Sequence, residues 1–404
     1  MTAYPDRLSS VRRDERSPLL IPVLGALGYA GCVIAYLPLL TLFLPLRIEQ
    51  IAADARFGFL AAIMISGAAM ASISAIAFGW LSDRSLERGG GRRSWIAAGI
   101  GATVMSYVGI ASARTPETLI VAVMVFQITL NLALAPLMAL LAEETPDRQK
   151  GLLSGMLAGA QPLGAVVGLL LAEWTSPALG FRLGIIAMVS VGCLTPVLVT
   201  SGGPTAQAVD RRIAVLSHDI VITWISRLMV QIAGNVLFAY LLFFMEQFVV
   251  FRSHGAVAAE VGGLIFIANL MPLPLAVVFG RWSDRIGRRK TFLIAAASLD
   301  AAGLVEMAFA TNWTAAAIGF CVFSIGWTTF LTLQIAFVMQ LLPNPRRRAR
   351  DLGLINLSNT VPVIIGPAFV WLLATPRSFS VLFVTLAALS VGGGLAMLAV
   401  KGRN

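Results

Sequence analysis

The sequence predicts an all-α membrane protein with twelve transmembrane helices in two pseudo-symmetric six-helix halves. Hydrophobic residues make up 58% of its 404 residues and charged residues 12%, with a mean hydropathy of +0.84. This composition excludes an ordinary water-exposed surface. The chain also divides into apolar segments of about 20 residues, the length that crosses a bilayer. Finally, one basic motif recurs in the two halves of the chain.

The apolar segments are separated by short polar loops. We expect them to be helices, because a bilayer offers no partner to unpaired backbone groups. The longest polar break divides them into two sets of six. The expected units are an N-terminal segment 1–18, an N-terminal half 19–201, a linker 202–219, a C-terminal half 220–400 and a tail 401–404. The predicted helical segments are 19–46, 57–82, 94–112, 117–142, 151–173, 181–201, 220–249, 257–282, 291–310, 314–341, 352–374 and 378–400.

The basic residues predict the orientation of the helices. Most of the 30 Lys and Arg residues lie in the N-terminal segment, the C-terminal tail and the loops that join even-numbered helices to odd-numbered ones. The positive-inside rule therefore places both termini in the cytoplasm, in a cell (inner) membrane. The apolar run 19–46 is longer than a signal-peptide core, so we expect it to be retained as the first helix.

Composition and spacing argue against several other classes of protein. The basic residues form clusters between apolar runs instead of one polar face, which argues against nucleic-acid binding. Cys32, Cys193 and Cys321 lie far apart inside apolar segments, so we expect no disulfide, metal site or cofactor. Both histidines lie in predicted loops, and no nucleotide-binding glycine loop follows a strand. We therefore expect no enzymatic activity.

The repeated motif reads Gly-x-x-Ser-Asp-Arg, followed by Gly-Arg-Arg. Its first copy runs from Gly79 to Arg93 and its second from Gly280 to Arg289. Each copy follows the second helix of its half, so the chain uses one structural unit twice.

The repeat extends from this loop into the fifth and eleventh helices. Two glycines and one amide residue of one helix match two glycines and one amide residue of the other at a single constant offset, which indicates two homologous halves in parallel register. Parallel repeats of this kind are typical of secondary transporters, which hold the substrate near the midplane between the halves. The matching residues are Gly155, Gln161 and Gly168, and Gly353, Asn359 and Gly366.

The two motif copies resemble the signature loop of the major facilitator superfamily, and the resemblance covers all twelve helices. It implies a rocker-type carrier in which Asp83 and Asp284 latch the cytoplasmic ends of the halves in the outward-facing state. An Asp at a helix end can accept hydrogen bonds from Arg or from a neighbouring helix N-terminus. The alternative is that the arginines only enforce topology. The expected latch residues are Gly79, Asp83, Arg84, Arg92, Arg93, Gly280, Asp284, Arg285, Arg288 and Arg289.

The long middle of the first motif copy resembles that of the sucrose-type and glycoside–cation symporter branch. This resemblance implies a sugar-like substrate and a co-transported proton or cation, although segment 19–46 contains no acid. The fifth helix partly resembles the Gly-Pro-rich helix of antiporters, with Gln161 in place of a Gly. We expect a monomer that moves a small polar solute through the lipid bilayer. The alternatives are a proton-driven exporter of an amphiphilic compound and a non-transporting receptor or scaffold.

Polar residues inside the predicted spans are the candidate substrate-binding residues, because such groups are costly and tend to face a cavity. Arg227, Gln231 and Asn235 are spaced four residues apart and share one face of helix 7. The alternatives are interhelical hydrogen bonding for each amide and a structural role for Arg227. The other candidates are Gln127, Asn131, Gln161, Gln334, Asn356, Asn359, Tyr29 and Tyr36.

Asp300 is the acid closest to the middle of a predicted span. A mid-membrane acid is a candidate for proton relay. The alternative is an acid paired with a neighbouring helix, because helix 9 is usually peripheral in proteins that this sequence resembles.

Overall fold

The structure is a computed structural model that describes residues 20–51, 56–172, 178–200, 218–248, 254–341, 348–373 and 379–401. Every element of regular secondary structure in these ranges is helical. The predicted N-terminal segment 1–18 and residues 202–217 of the predicted linker lie outside the described residues.

The first six predicted segments form the N-half. Two of them are interrupted, the first by a π-helical turn at Leu39–Phe43 and the fifth at Gly159. The helices are α1 (Leu20–Pro38), α2 (Leu44–Ile51), α3 (Arg56–Glu87), α4 (Arg92–Ser112), α5 (Pro116–Glu144), α6 (Lys150–Ala158), α7 (Ala160–Ala172) and α8 (Leu179–Val199).

The last six predicted segments form the C-half. Its second segment is divided at Met271, so that it comprises two helices. The helices are α9 (His218–Glu246), α10 (His254–Leu270), α11 (Pro272–Ile286), α12 (Arg289–Ala308), α13 (Trp313–Leu341), α14 (Arg348–Leu373) and α15 (Ser380–Ala396).

The predicted fold class is confirmed. Within the described ranges, eleven helical stretches are long and apolar enough to cross a membrane. They coincide with eleven of the predicted segments, and α14 occupies the remaining one, 352–374. Large apolar side chains on the outside of the bundle, such as Met188 at 69% exposure, fit a surface that faces lipid.

The interruptions of the fifth and eighth segments follow from proline chemistry. Pro162 has no N–H to donate to the carbonyl of Ala158, and α6 ends at that residue. Pro272 begins α11, where a missing N–H costs nothing. Both segments are therefore made of two stacked helices.

The halves meet along two crossings that the pseudo-symmetry relates. Helix α3 packs against α14, and α11 packs against α6, so the second helix of each half meets the fifth helix of the other. Both motif copies therefore lie at the same end of the bundle, which we call the basic end. Helices α7 and α10, farther from it, pack mainly within their own halves. In the two divided segments, the contacts with the other half are therefore made mainly by α6 and α11, the helices nearer the basic end.

Candidate functional site

Asp83 lies at the point where α3 of the N-half meets the first turn of α14 of the C-half. It is 2% exposed. Its Oδ1 accepts a hydrogen bond from Arg92 Nη2 at 2.8 Å, and its Oδ2 accepts one from the backbone N–H of Arg350 at 3.0 Å. The free N–H groups of a first helical turn carry partial positive charge. A carboxylate of one half therefore caps a helix of the other.

Asp284 makes the reciprocal contact from the C-half. Its Oδ1 accepts a hydrogen bond from the backbone N–H of Gly151, and its Oδ2 accepts one from that of Leu152, both at 3.2 Å. These two residues lie in the first turn of α6. Arg289 forms an ion pair with the same carboxylate. The two motif copies thus make equivalent contacts in opposite directions.

Glycines allow the backbones to approach closely at these contacts. A Cβ added to Gly280 would lie 2.3 Å from the carbonyl oxygen of Gly151, and one added to Gly151 would lie 2.4 Å from that of Gly280. At the other crossing, a Cβ on Gly353 would lie 2.9 Å from the carbonyl oxygen of Ala75. Gly79 is buried on the same helix as Ala75. Side chains at these positions would separate the halves.

Arg92 and Arg93 bind the first motif copy to the rest of the N-half. Arg92 makes a bidentate pair with Glu143, at 2.9 Å from Nε and 2.7 Å from Nη2. Arg93 Nη2 donates to Glu144 at 2.6 Å. These pairs hold the start of α4 against the end of α5, and the first of them orients the guanidinium that contacts Asp83.

Arg84, Arg285 and Arg288 are exposed at the basic end. The guanidinium carbon of Arg84 lies 5.4 Å from the centre of the Trp80 ring on its own helix. In the described ranges these three arginines do not join the contacts between the halves. Arg92 and Arg289, by contrast, each pair with an aspartate of their own half that caps a helix of the other half.

A polar cluster lies between α9, α13 and α14 of the C-half. Arg227 donates from Nε and Nη2 to Asn359 Oδ1, at 3.3 Å each, and from Nη1 to Gln334 Oε1 at 3.2 Å. Gln231 Nε2 donates to the same Asn359 oxygen at 2.5 Å. Two residues one turn apart on α9 therefore reach one amide of α14. We call Arg227, Gln231, Gln334, Asn356 and Asn359 the Arg227 cluster.

The remaining amide contacts extend this cluster. Asn359 Nδ2 donates to Asn356 Oδ1 at 2.7 Å. Gln334 Nε2 donates to the carbonyl oxygen of Thr223 at 3.0 Å. Asn235 Nδ2 donates to the carbonyl oxygen of Gln231 at 2.9 Å, so this amide is satisfied on its own helix.

Tyr29 and Tyr36 both lie on α1 of the N-half. The Tyr29 phenol lies close enough to Arg227 for the two groups to interact electrostatically. Gln161 Nε2 donates to Tyr36 Oη at 2.8 Å, in an exposed position. Tyr29 of the N-half and Arg227 of the C-half therefore interact across the two halves.

Gln127 and Asn131 lie apart from this cluster, on α5. Asn131 is 4% exposed, and its Nδ2 donates to the carbonyl oxygen of Gln127 at 2.9 Å. Gln127 packs beside Gly67 of α3, where an added Cβ would lie 3.6 Å from its side chain. The structure thus places both amides within the N-half.

Asp300 is fully buried between α12, α13 and α15 of the C-half. Ser390 of α15 lies beside its carboxyl group. Neither carboxyl oxygen makes a hydrogen bond within the described ranges. The acid lies inside one half, away from the crossings between the halves.

Among the described residues, the His, Cys, Asp and Glu side chains form no group of three or more that could hold a metal ion. Cys32, Cys193 and Cys321 are free thiols.

The sequence profile of the Major Facilitator Superfamily matches residues 24–252 and again residues 223–403. The chain belongs to the major facilitator superfamily. The first match covers the N-half and continues through α9, and the second begins within α9 and covers the rest of the C-half. No curated protein shows a significant sequence match to the chain.

Solved structures of superfamily members share the fold at low sequence identity. The human organic anion transporter MFSD10 has 16% identity and a TM-score of 0.70, covering 96% of this chain and 100% of the other. The proton:xylose symporter XylE has 15% identity and a TM-score of 0.70, covering 96% and 95%. The transporter FucP, in the outward conformation, has 12% identity and a TM-score of 0.74, covering 96% and 100%.

Two of the contacts between the halves were not predicted from the sequence. Lys150, the first residue of α6, is 4% exposed, and its Nζ donates to the carbonyl oxygen of Met339 in the last turn of α13 at 3.0 Å. Ser72 Oγ and Thr360 Oγ1 lie 2.9 Å apart between α3 and α14. The offset between the repeats gives one sign that Lys150 has a structural role. At this offset Lys150 corresponds to Arg348, which is also a basic residue at the start of a helix.

Replacing this lysine should weaken the contact between the halves at the basic end. Lys150→Met keeps the length of the side chain but removes the charged hydrogen bond, which should destabilise the contact between α6 and α13 by about 1–2 kcal/mol. Cysteine accessibility at the interface of α6 and α13 measures the change. Lys290→Met is the matched control, because its Nζ donates to the carbonyl oxygen of Val400 at 2.7 Å within the C-half. Equal effects of the two substitutions would contradict a specific role for Lys150.

Proposed function

We propose that this chain is a secondary active transporter that moves a small polar solute by alternating access, with its basic end closed in the conformation described above. The observation that carries the proposal is the pair of reciprocal caps, Asp83 on α14 and Asp284 on α6. Both caps join the halves at the basic end, so breaking them would weaken the closure of that end. A closed end that can be released is what alternating access requires.

We further propose that the basic end is cytoplasmic and that the conformation is outward-facing. The distribution of Lys and Arg supports this orientation in a cell membrane, with both termini in the cytoplasm. The predicted units, with boundaries at 19–201 and 220–400, are the two rigid bodies of this scheme. The chain works as a monomer in it, because each monomer contains both halves.

The substrate that we favour is a sugar-like or glycoside-like solute. The Arg227 cluster presents several amide groups, which can donate to or accept from hydroxyl groups. Tyr29 and Tyr36 offer ring faces from the N-half, and Gln161 lies beside the second of them. Gln127 and Asn131 stay candidates in the proposal, although their contacts lie within the N-half.

Coupling to a proton or cation is the second part of the proposal. Asp300 is the candidate proton carrier, because it is a fully buried acid without a charged partner in the described ranges. Asp300→Asn should leave solute binding unchanged while making transport independent of an imposed pH gradient. Uptake into proteoliposomes with and without the gradient measures this, and an Asn variant that still responds to the gradient would remove Asp300 from the coupling scheme.

Substitutions in the Arg227 cluster should weaken solute binding. Gln231→Ala should cost about 1 kcal/mol, or roughly five-fold in affinity, because a hydrogen-bonding group is lost. Arg227→Lys should also be poorly tolerated, since an ammonium does not reproduce the planar fork of donors. Binding to purified protein is the measurement. Asn269→Ala is the control, because Asn269 lies on α10 and its side chain donates to the carbonyl oxygen of Ile265 on the same helix.

Flux in proteoliposomes separates this function from its alternatives. Uptake of a polar solute, driven by a gradient, is expected for the purified protein. If the protein binds lipophilic cations and no polar solute, the proton-driven exporter is favoured. Ligand binding without any flux would favour a receptor or scaffold with the same fold.

A further inference from the structure

Arg227 is a buried cation that has no acidic partner among the described residues. It is 7% exposed and lies about 13 Å along α9 from His218. None of the ion pairs in the described ranges includes it. An arginine stays charged in proteins, and a buried charge is costly unless it is paired. By contrast, Arg92 and Arg289, the other buried arginines of the described residues, both contact carboxylates.

The hydrogen bonds of Arg227 leave much of its capacity unused. A guanidinium has five N–H donors, and this one makes three bonds to only two oxygens. All three are 3.2–3.3 Å long, whereas charge-assisted bonds are about 2.7–2.9 Å long. Asn359 Oδ1 accepts two of them and also accepts from Gln231. One neutral oxygen thus serves three donors, which is a poor substitute for a carboxylate.

Gln231 adds a second unfilled position beside the cation. It is 7% exposed, and its Oε1 is buried without a hydrogen-bond partner in the described ranges. Leaving such an acceptor unsatisfied is costly. An acceptor next to a cation suits a ligand that places a hydroxyl donor beside an anionic group.

We propose that the transported solute is a hydroxylated carboxylate, such as a sugar acid, with its carboxylate on Arg227 and a hydroxyl donating to Gln231 Oε1. The inference rests on the proposed transport function. It changes the expected substrate from a neutral sugar to a sugar acid. The carboxylate forms the bidentate pair that the guanidinium lacks, and the hydroxyl fills the unpaired amide oxygen. Tyr29 of the N-half lies close to the same cation, so both halves can sense the bound anion.

Matched pairs of neutral and acidic solutes test this inference on the purified full-length protein. The probes are D-glucose against D-gluconate and D-glucuronate, D-galactose against D-galacturonate, and glycerol against glycerate, with acetate and inorganic phosphate as plain anions. A ligand that binds only the folded state raises the melting temperature. We expect at least one hydroxy acid to do so, while its neutral partner and the plain anions have a smaller effect.

Substitutions of Arg227 test whether the hydroxy acid binds at this residue. Arg227→Gln should lower the affinity for the acid by about ten-fold or more, as expected for lost hydrogen bonds to a charge. Arg114→Gln, an exposed arginine in the loop between α4 and α5, should leave it unchanged. If Arg227→Gln does not fold, Arg227→Lys is used instead. It should bind the acid more weakly but still prefer it to the neutral partner.

Three results would overturn the inference. They are stabilisation by neutral sugars as strong as by their acids, acid binding that survives Arg227→Gln, and no stabilisation by any acid in the panel. Stabilisation by phosphate or acetate as strong as by the hydroxy acids would reduce the site to a general anion site. The transport function is tested separately, by flux in proteoliposomes and by movement of the basic end. A chain that alternates but binds only neutral solutes would refute this inference alone.

Discussion

Gly280→Val is expected to prevent closure of the basic end and to reduce the rate of transport by more than about ten-fold. The Cβ would lie 2.3 Å from the carbonyl oxygen of Gly151. The obstructing atom belongs to the backbone of α6, so the clash cannot be relieved by a rotamer change, and the helices must separate. Separation also breaks the hydrogen bonds that the first turn of α6 donates to Asp284. Initial uptake rates in proteoliposomes measure the effect.

The control for this substitution is Gly101→Val on α4. A Cβ at Gly101 meets no atom within 4 Å, so the same change in composition leaves the packing intact. The variant should transport at close to the wild-type rate. A Gly280→Val protein that folds and transports like the control would show that the crossing of α6 and α11 does not have to close during the cycle.

Asp83→Asn is expected to favour the open basic end by about 2 kcal/mol, a population shift of roughly 30-fold. The substitution keeps the size of the side chain but removes its charge. It weakens the pair with Arg92 and the capping of α14 at Arg350. Solute binding should stay within about two-fold of wild type, because Asp83 lies at the end of α3, far from the Arg227 cluster. Asp284→Asn should act in the same direction, since its contacts are equivalent.

Asp351→Asn is the matched control for this prediction. Asp351 lies in the same first turn of α14, but it pairs with Arg350 inside the C-half. Removing its charge therefore leaves the contacts between the halves in place, and the rate of the conformational cycle should be preserved. Site-directed cysteine labelling at the basic end reports the population of the open state for each variant. A larger shift in Asp351→Asn than in Asp83→Asn would contradict the capping role.

Much of the fold could be predicted because its determinants are local. The length and polarity of each segment predict the helices, and Asp83 and Asp284 are recognisable by their identical positions in two motif copies. The partners of those aspartates could not be predicted in the same way. They are backbone N–H groups, which any residue supplies, so only the crossing of α3 with α14 and of α11 with α6 reveals them.

The arginines and amides show a similar limit. Spacing places Arg227 and Gln231 on one face of α9, and the structure brings both to Asn359 of α14. Sequence alone does not distinguish Arg92, which is buried against Asp83 and Glu143, from the exposed Arg84. The difference arises because Arg92 begins α4 and points back across the loop, whereas Arg84 continues the outer face of α3 beside Trp80.

The central claim, that two aspartates hold the basic end closed, is tested most directly by a distance measured between the halves. Spin labels at Arg88 and Ile286, both exposed at the basic end, report that distance by pulsed electron paramagnetic resonance in a variant without the native cysteines. We predict a short distance in the otherwise wild-type protein and a longer one in the Asp83→Asn/Asp284→Asn double variant. The same short distance in both proteins would contradict the account.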